Sequence, residues 1–220
     1  MPIPFGRTGL LALVLALGGC AASSQNIDYT AFRASRPRSI LVLPPLNNSP
    51  DVRATYSFLS TVTRPLAEDG YYVFPVALVD QTFRENGLAN AGEMHEVPLN
   101  KLREIFGADA TLYITVTQYG PSYMLLNSEI RVTAKAKLVD NLTGQLLWSG
   151  AATASDSEGG NNSGGGLAGA LIYALVKQVA GSIGDQGHTV AHVTSQRLLQ
   201  VRPNGLLYGP LSPFYEKTEP

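Results

Sequence analysis

One cysteine, Cys20, stands in 220 residues. No disulfide can form within the chain, so stability has to come from packing, and 45% hydrophobic residues make a core available. Long apolar runs are missing as well. The N-terminal run Leu10–Leu17 falls far below the ~20 residues of a membrane span. A cationic excess is absent: 16 Lys+Arg meet 17 Asp+Glu, which excludes the basic balance of a nucleic-acid binder. No Gly-Lys-Ser/Thr follows the glycine-rich stretch, and Ser163 has no Gly-x-Ser-x-Gly around it, so phosphate-loop and nucleophile-elbow readings lose their residues. His188 and His192 are spaced to share a helix face, but neither a third ligand nor the glutamate of His-Glu-x-x-His is present. Asp51, Asp80, Asp109 and Asp140 fall at expected element ends, where caps and turns account for them. Cofactors are therefore expected to be none, no metal or catalytic residue is assigned, and no internal repeat is found.

What is present begins at the N-terminus. A start with Arg7 as its only charge, the apolar run, and small residues before Cys20 form an export signal over residues 1–19. Leu17-Gly18-Gly19-Cys20 resembles the lipobox of bacterial lipoproteins. That resemblance implies a diacylglycerol on the Cys20 thiol, cleavage before it and acylation of the freed amine. Two or more acyl chains hold a protein stably on its leaflet. Ala21, Ala22, Ser23 and Ser24 resemble the outer-membrane address rather than the inner-membrane one. Residues 20–37 read as a lipidated cysteine and flexible tether. Removing residues 1–19 takes Arg7 with it and leaves 15 Lys+Arg against 17 Asp+Glu.

Residues 38–200 read as one α+β domain. Ile40-Leu41-Val42-Leu43 lacks alternation and suits a strand buried on both faces, stopped by Pro44 and Pro45. Residues 52–68 carry helical periodicity, with a kink expected at Pro65. Tyr71–Phe74 is a second strand, and strand–helix–strand predicts a parallel crossover. A short helix is expected over 80–86, a loop over 89–96 and a helix after Pro98 that ends at Gly107. Residues 110–119 and 123–140 alternate as half-wet antiparallel strands separated by a Gly120-Pro121-Ser122 turn; a hairpin at Asp140–Gly144 leads to a return strand carrying Trp148. Residues 157–166 form a glycine-rich loop, 167–183 an apolar helix, 184–187 a break, 189–199 a last helix and 201–220 an extended tail.

Candidate partner surfaces are the loop at Asn47 and Asn48, the glycine-rich loop at Asn161, Asn162 and Ser163, and the helix face of Leu171 and Leu175. Small residues at Gly165/Gly169 and Ala170/Ala174 would let that helix meet a second copy, so a homodimer is the expected assembly.

Three stretches carry a wider likeness: Ser39–Asp51, Gly107–Val116 and Ala136–Trp148. With Asn161–Leu167 they resemble a neisserial-type family of outer-membrane lipoproteins of Gram-negative bacteria, and more loosely the TolB N-terminal domain, the CsgG secretion lipoprotein and the lipoprotein activators of peptidoglycan synthases. The resemblance implies a small mixed parallel/antiparallel sheet flanked by helices and work at the envelope by protein contact. The expected function is that of an outer-membrane-anchored periplasmic lipoprotein, not an enzyme, acting as an interaction or assembly module in envelope transport or secretion. Its expected partners are the membrane, through the anchor, and envelope proteins including other lipoproteins. The alternatives are a subunit of a CsgG-like pore, an envelope enzyme without a recognisable motif, and a small-ligand carrier.

Overall fold

The computed structural model describes residues 27–123, 128–158, 186–202 and 204–215. Its centre is β1 (Ser39–Val42). Ile40, Leu41, Val42 and Leu43 are all fully buried, as an unbroken apolar run requires. β1 pairs in parallel with β3 (Tyr72–Val73) on one side and β4 (Ala110–Tyr123) on the other. The two-residue strand β2 (Leu46–Asn47) continues the parallel pairing further along β4. β4, β5 (Ser128–Asp140) and β6 (Leu146–Ser155) then form an antiparallel meander, giving the order β3-β1-β4-β5-β6. The chain thus has a mixed sheet flanked by helices, as the sequence predicted.

Alternation sorts the two faces. Leu112, Ile114, Val116, Val132, Ala134 and Leu138 point into the main core. That core lies beneath α1 (Thr30–Ser35), α2 (Ala54–Leu59), α3 (Thr63–Glu68) and α7 (Gln186–Leu199). The apolar face of the two long strands is therefore covered by helices of the same chain. On the opposite face Leu41 and Leu43 meet Val79 of α4 (Val76–Glu85), Met94 of α5 (Ala91–His95) and Leu102 of α6 (Leu99–Phe106). Each fully buried side chain of this size contributes about 1.5–3 kcal/mol. Among the described residues no helix is long and apolar enough to cross a membrane.

Several boundaries differ from expectation, each for a local reason. The helix expected over 52–68 is two helices. Pro65 has no N–H to give the Thr61 carbonyl, so the chain turns at 60–62, and Ser195 Oγ donates to Thr61 O instead (3.2 Å). Pro75 ends the second strand but also precedes α4, which starts at Val76 rather than at Asp80. Asp80 is not a cap; it pairs with Arg84 one turn on (2.9 Å). The loop expected over 89–96 contains α5, because Asn90 accepts from the Glu93 N–H while Glu93 accepts from the Ala89 N–H, a reciprocal cap. Gly120-Pro121-Ser122 is strand rather than turn. Past Val116 no strand among the described residues pairs with the β2 side of β4, so a proline facing that side removes no ladder bond. Gly187, expected in a break, is helical. The helix expected over 167–183 and the glycine-rich residues beyond Glu158 lie outside the described residues.

Both ends of the described chain pack more closely than composition suggested. Residues 27–37 were expected to be tether; instead Phe32 is buried in the core and Tyr29 OH donates to Gly205 O (2.6 Å). Residues 204–215 were expected to be loose. Leu206 is buried, Tyr71 OH donates to Leu207 O (2.6 Å), and the Leu211 N–H donates to Gly70 O (3.1 Å). The buried carboxyl of Asp69 supports this arrangement by accepting the Val201 N–H (3.1 Å).

Burial pushes the Asp69 carboxyl up to about 7. Its folded value then exceeds the unfolded one near 3.9, so its contribution is complete below about pH 4 and is lost as pH rises through 7. Asp69→Asn keeps an acceptor for Val201 and removes the charge. We expect it to raise unfolding free energy by about 2 kcal/mol at pH 8 and by nothing at pH 4, measured by denaturant titration at both values.

Candidate functional site

The loop after β2 is built by Asn47. Its Oδ1 accepts from the Ser49 N–H and Oγ (2.9 and 2.7 Å), and its Nδ2 donates to Asp51 O (2.8 Å). Asn47 therefore fixes the loop from within, while Asn48 is exposed and its backbone N–H donates to Val116 O (2.8 Å). Asp51 accepts from the Arg53 N–H and pairs with the Arg53 guanidinium (2.7 Å), which holds its carboxyl below the usual range. Val52 and Tyr56, one helical turn apart, project from this end; Val52 is 86% exposed.

Beside the loop lies a hollow of about 260 Å³ lined by Asp51, Arg53, Tyr119, Pro121, Ile130 and Gln186, among others. At its edge the Tyr119 hydroxyl meets Ser57 Oγ (2.6 Å), which also reaches His188 Nδ1 (3.1 Å). Gly187 makes this approach possible, because a Cβ there would stand 2.7 Å from the Tyr119 ring. Ser57 and His188 have the reach of a nucleophile and a base, but among the described residues no carboxylate bonds to His188 to orient it. His192, a turn further along α7, is half-buried; burial and then Arg64 hold its pKa down. Among the described residues no group of His, Cys, Asp and Glu could hold a metal.

Of the residues singled out in the sequence, Asn47 and Asn48 thus fall beside the hollow. Cys20, Asn161, Asn162, Ser163, Leu171 and Leu175 lie outside the described residues. Ser57 and Tyr119 had no signal of their own; only the fold brings them to His188. The aspartates behave as caps and turns at Asp51 and at Asp140, which accepts from the Leu142 and Thr143 N–H groups (2.8 and 2.7 Å); Asp109 instead accepts from the distant Arg38 and Ser39 N–H groups (2.9 and 3.0 Å) and ties the start of β1 to β4.

Residues 27–211 match the profile of a family described as "Putative lipoprotein GNA1162-like". The chain belongs to the GNA1162-like lipoprotein family. A relative from Neisseria meningitidis serogroup B, "Putative lipoprotein NMB1124/NMB1162", is 52% identical over 202 residues, 91% of this chain and 93% of that protein. The crystal structure of lipoprotein GNA1162 from Neisseria meningitidis is 55% identical and covers 66% of this chain and all of that one, with a TM-score of 0.53. The LpoB C-terminal domain from Salmonella enterica is 15% identical with a TM-score of 0.39 over 66% of this chain and 93% of that one, too distant to carry an argument. Neither the GNA1162-like family nor its neisserial member carries the name of an enzyme. The family match starts at Ile27 and so takes in α1, the segment that composition had assigned to the tether.

Proposed function

We propose that this GNA1162-like lipoprotein is anchored in the outer membrane through acylated Cys20 and works on the periplasmic side as a non-enzymatic interaction module in envelope assembly, transport or secretion. One observation supports the contact role most directly. Val52 presents apolar surface from a loop made rigid by Asn47 and Asp51, next to a hollow. Exposed apolar groups on a fixed frame suit protein contact, because little conformational freedom is lost on binding. The anchor raises the local concentration of the domain near envelope partners, so weak contacts suffice. A homodimer belongs to the same reading.

Two measurements test it. In a Gram-negative host the wild-type chain is expected to carry an acyl mass at its N-terminus and to fractionate with the outer membrane. Cys20→Ser should lose that mass and drop at least about tenfold in the membrane fraction, since each buried CH₂ contributes about 0.8 kcal/mol. A variant that stays in the membrane fraction overturns the anchor. A photoreactive side chain at Val52 should give discrete adducts with envelope proteins or a second copy; a clean absence of adducts in cells rejects the contact surface.

A further inference from the structure

One end of the sheet gathers the start of the described chain, the start of β1, the 209–212 segment and the β5–β6 hairpin. The described chain starts there, with Tyr29 bonded to Gly205. β1 begins there at Arg38 and Ser39, tied to Asp109 ahead of β4. The 209–212 segment crosses just before β3, with Gly209 on Asp69 and Leu211 on Gly70. The β5–β6 hairpin closes there too, with Ser35 Oγ on Asp140 (2.5 Å). Leu211 (66%), Phe214 (51%) and Leu142 (70%) stand exposed at this end. The opposite end carries Val52 and the hollow, since Asp51 lies against Gly120. Ten strand steps from Ala110 to Gly120 separate the two ends by about 33 Å.

We infer that the end bearing Leu142, Leu211 and Phe214 rests on the phospholipid bilayer in which Cys20 is held, so that the Val52 loop points away from it. This rests on the proposed acylation of Cys20. The length of chain between anchor and domain selects the bilayer as the occupant. Only seven residue steps separate Cys20 from Ile27, which limits the gap between anchor and domain to about 25 Å at full stretch. The far end therefore cannot lie on the membrane without turning the domain over on that short link. Exposed apolar side chains on this end match the boundary between headgroups and acyl chains.

The test uses the full acylated chain in vesicles of phosphatidylethanolamine and phosphatidylglycerol. An environment-sensitive fluorophore is placed on Leu211→Cys, Leu142→Cys or Val52→Cys, each an exposed position. Spin-labelled lipid is expected to quench the first two at least twofold more than the third. Equal quenching at all three, or more at Val52, overturns the orientation. The N-terminal acyl mass is read on the same samples: a chain without it brings down the anchor and this inference together, whereas an acylated chain with unquenched Leu211 brings down this inference alone.

Discussion

Phe58→Ala is expected to lower the free energy of unfolding by about 3–5 kcal/mol, among the largest losses any single substitution here would cause. Phe58 is fully buried on α2, in the core between the sheet and α7. Truncation removes its apolar area from the core and leaves a void that backbone hydrogen bonds on both sides keep from closing. Leu59, Val62 and Ala191 belong to the same cluster. The denaturant midpoint should fall with little change in slope. A loss under about 1 kcal/mol would mean that α2 does not pack as described.

Gly70→Ala is expected to cost about 3 kcal/mol, by a different route. Gly70 has φ of +92°, a region that residues with a Cβ rarely adopt. A Cβ there would stand 2.3 Å from the Ser212 backbone nitrogen. Backbone cannot rotate aside as a side chain can, so the 209–212 segment has to lift. That breaks the bonds from Leu211 N–H to Gly70 O and from Gly209 N–H to Asp69 O, each contributing about 1 kcal/mol. The readout is specific: limited proteolysis should cut the variant within 204–215 while the rest of the domain survives. Wild-type resistance in the variant would disprove this account of the tail.

Both predictions concern contacts that the sequence did not announce. Periodicity put Phe58 inside a helix but not on its buried stripe: the stripe Val52, Tyr56, Leu59, Val62 and Leu66 is buried from Leu59 on, whereas Val52 and Tyr56 ahead of it are exposed and Ala54 and Phe58 take the core positions. Pro65 gave the signal, and its consequence depended on Ser195, far along the chain, being present to bond the freed carbonyl. α1 was missed for a related reason. Residues 25–38 have few apolar side chains, and six helical residues are too few to show a period. Phe32 holds that helix because the core is there to receive it. The Asn90/Glu93 cap is legible in the sequence, but five residues of helix are too few to show a period. At the candidate site Asn47 and Asn48 were found through turn chemistry, whereas Ser57, Tyr119 and His188 come from three separate elements and meet only when α2 and α7 cover β4.

By itself the sequence determined the lipoprotein family, the alternation of β4 and β5, the doubly buried β1 and the hairpin at Asp140–Gly144. These rest on neighbouring residues, whose spacing sets which face they share. The tertiary structure alone decided that residues 27–37 pack against the domain, that the 204–215 segment seals Tyr71, and that Val52 and Leu211 stand at opposite ends. Those facts depend on residues more than a hundred positions apart, and nothing in a local pattern records how far the chain travels before it returns.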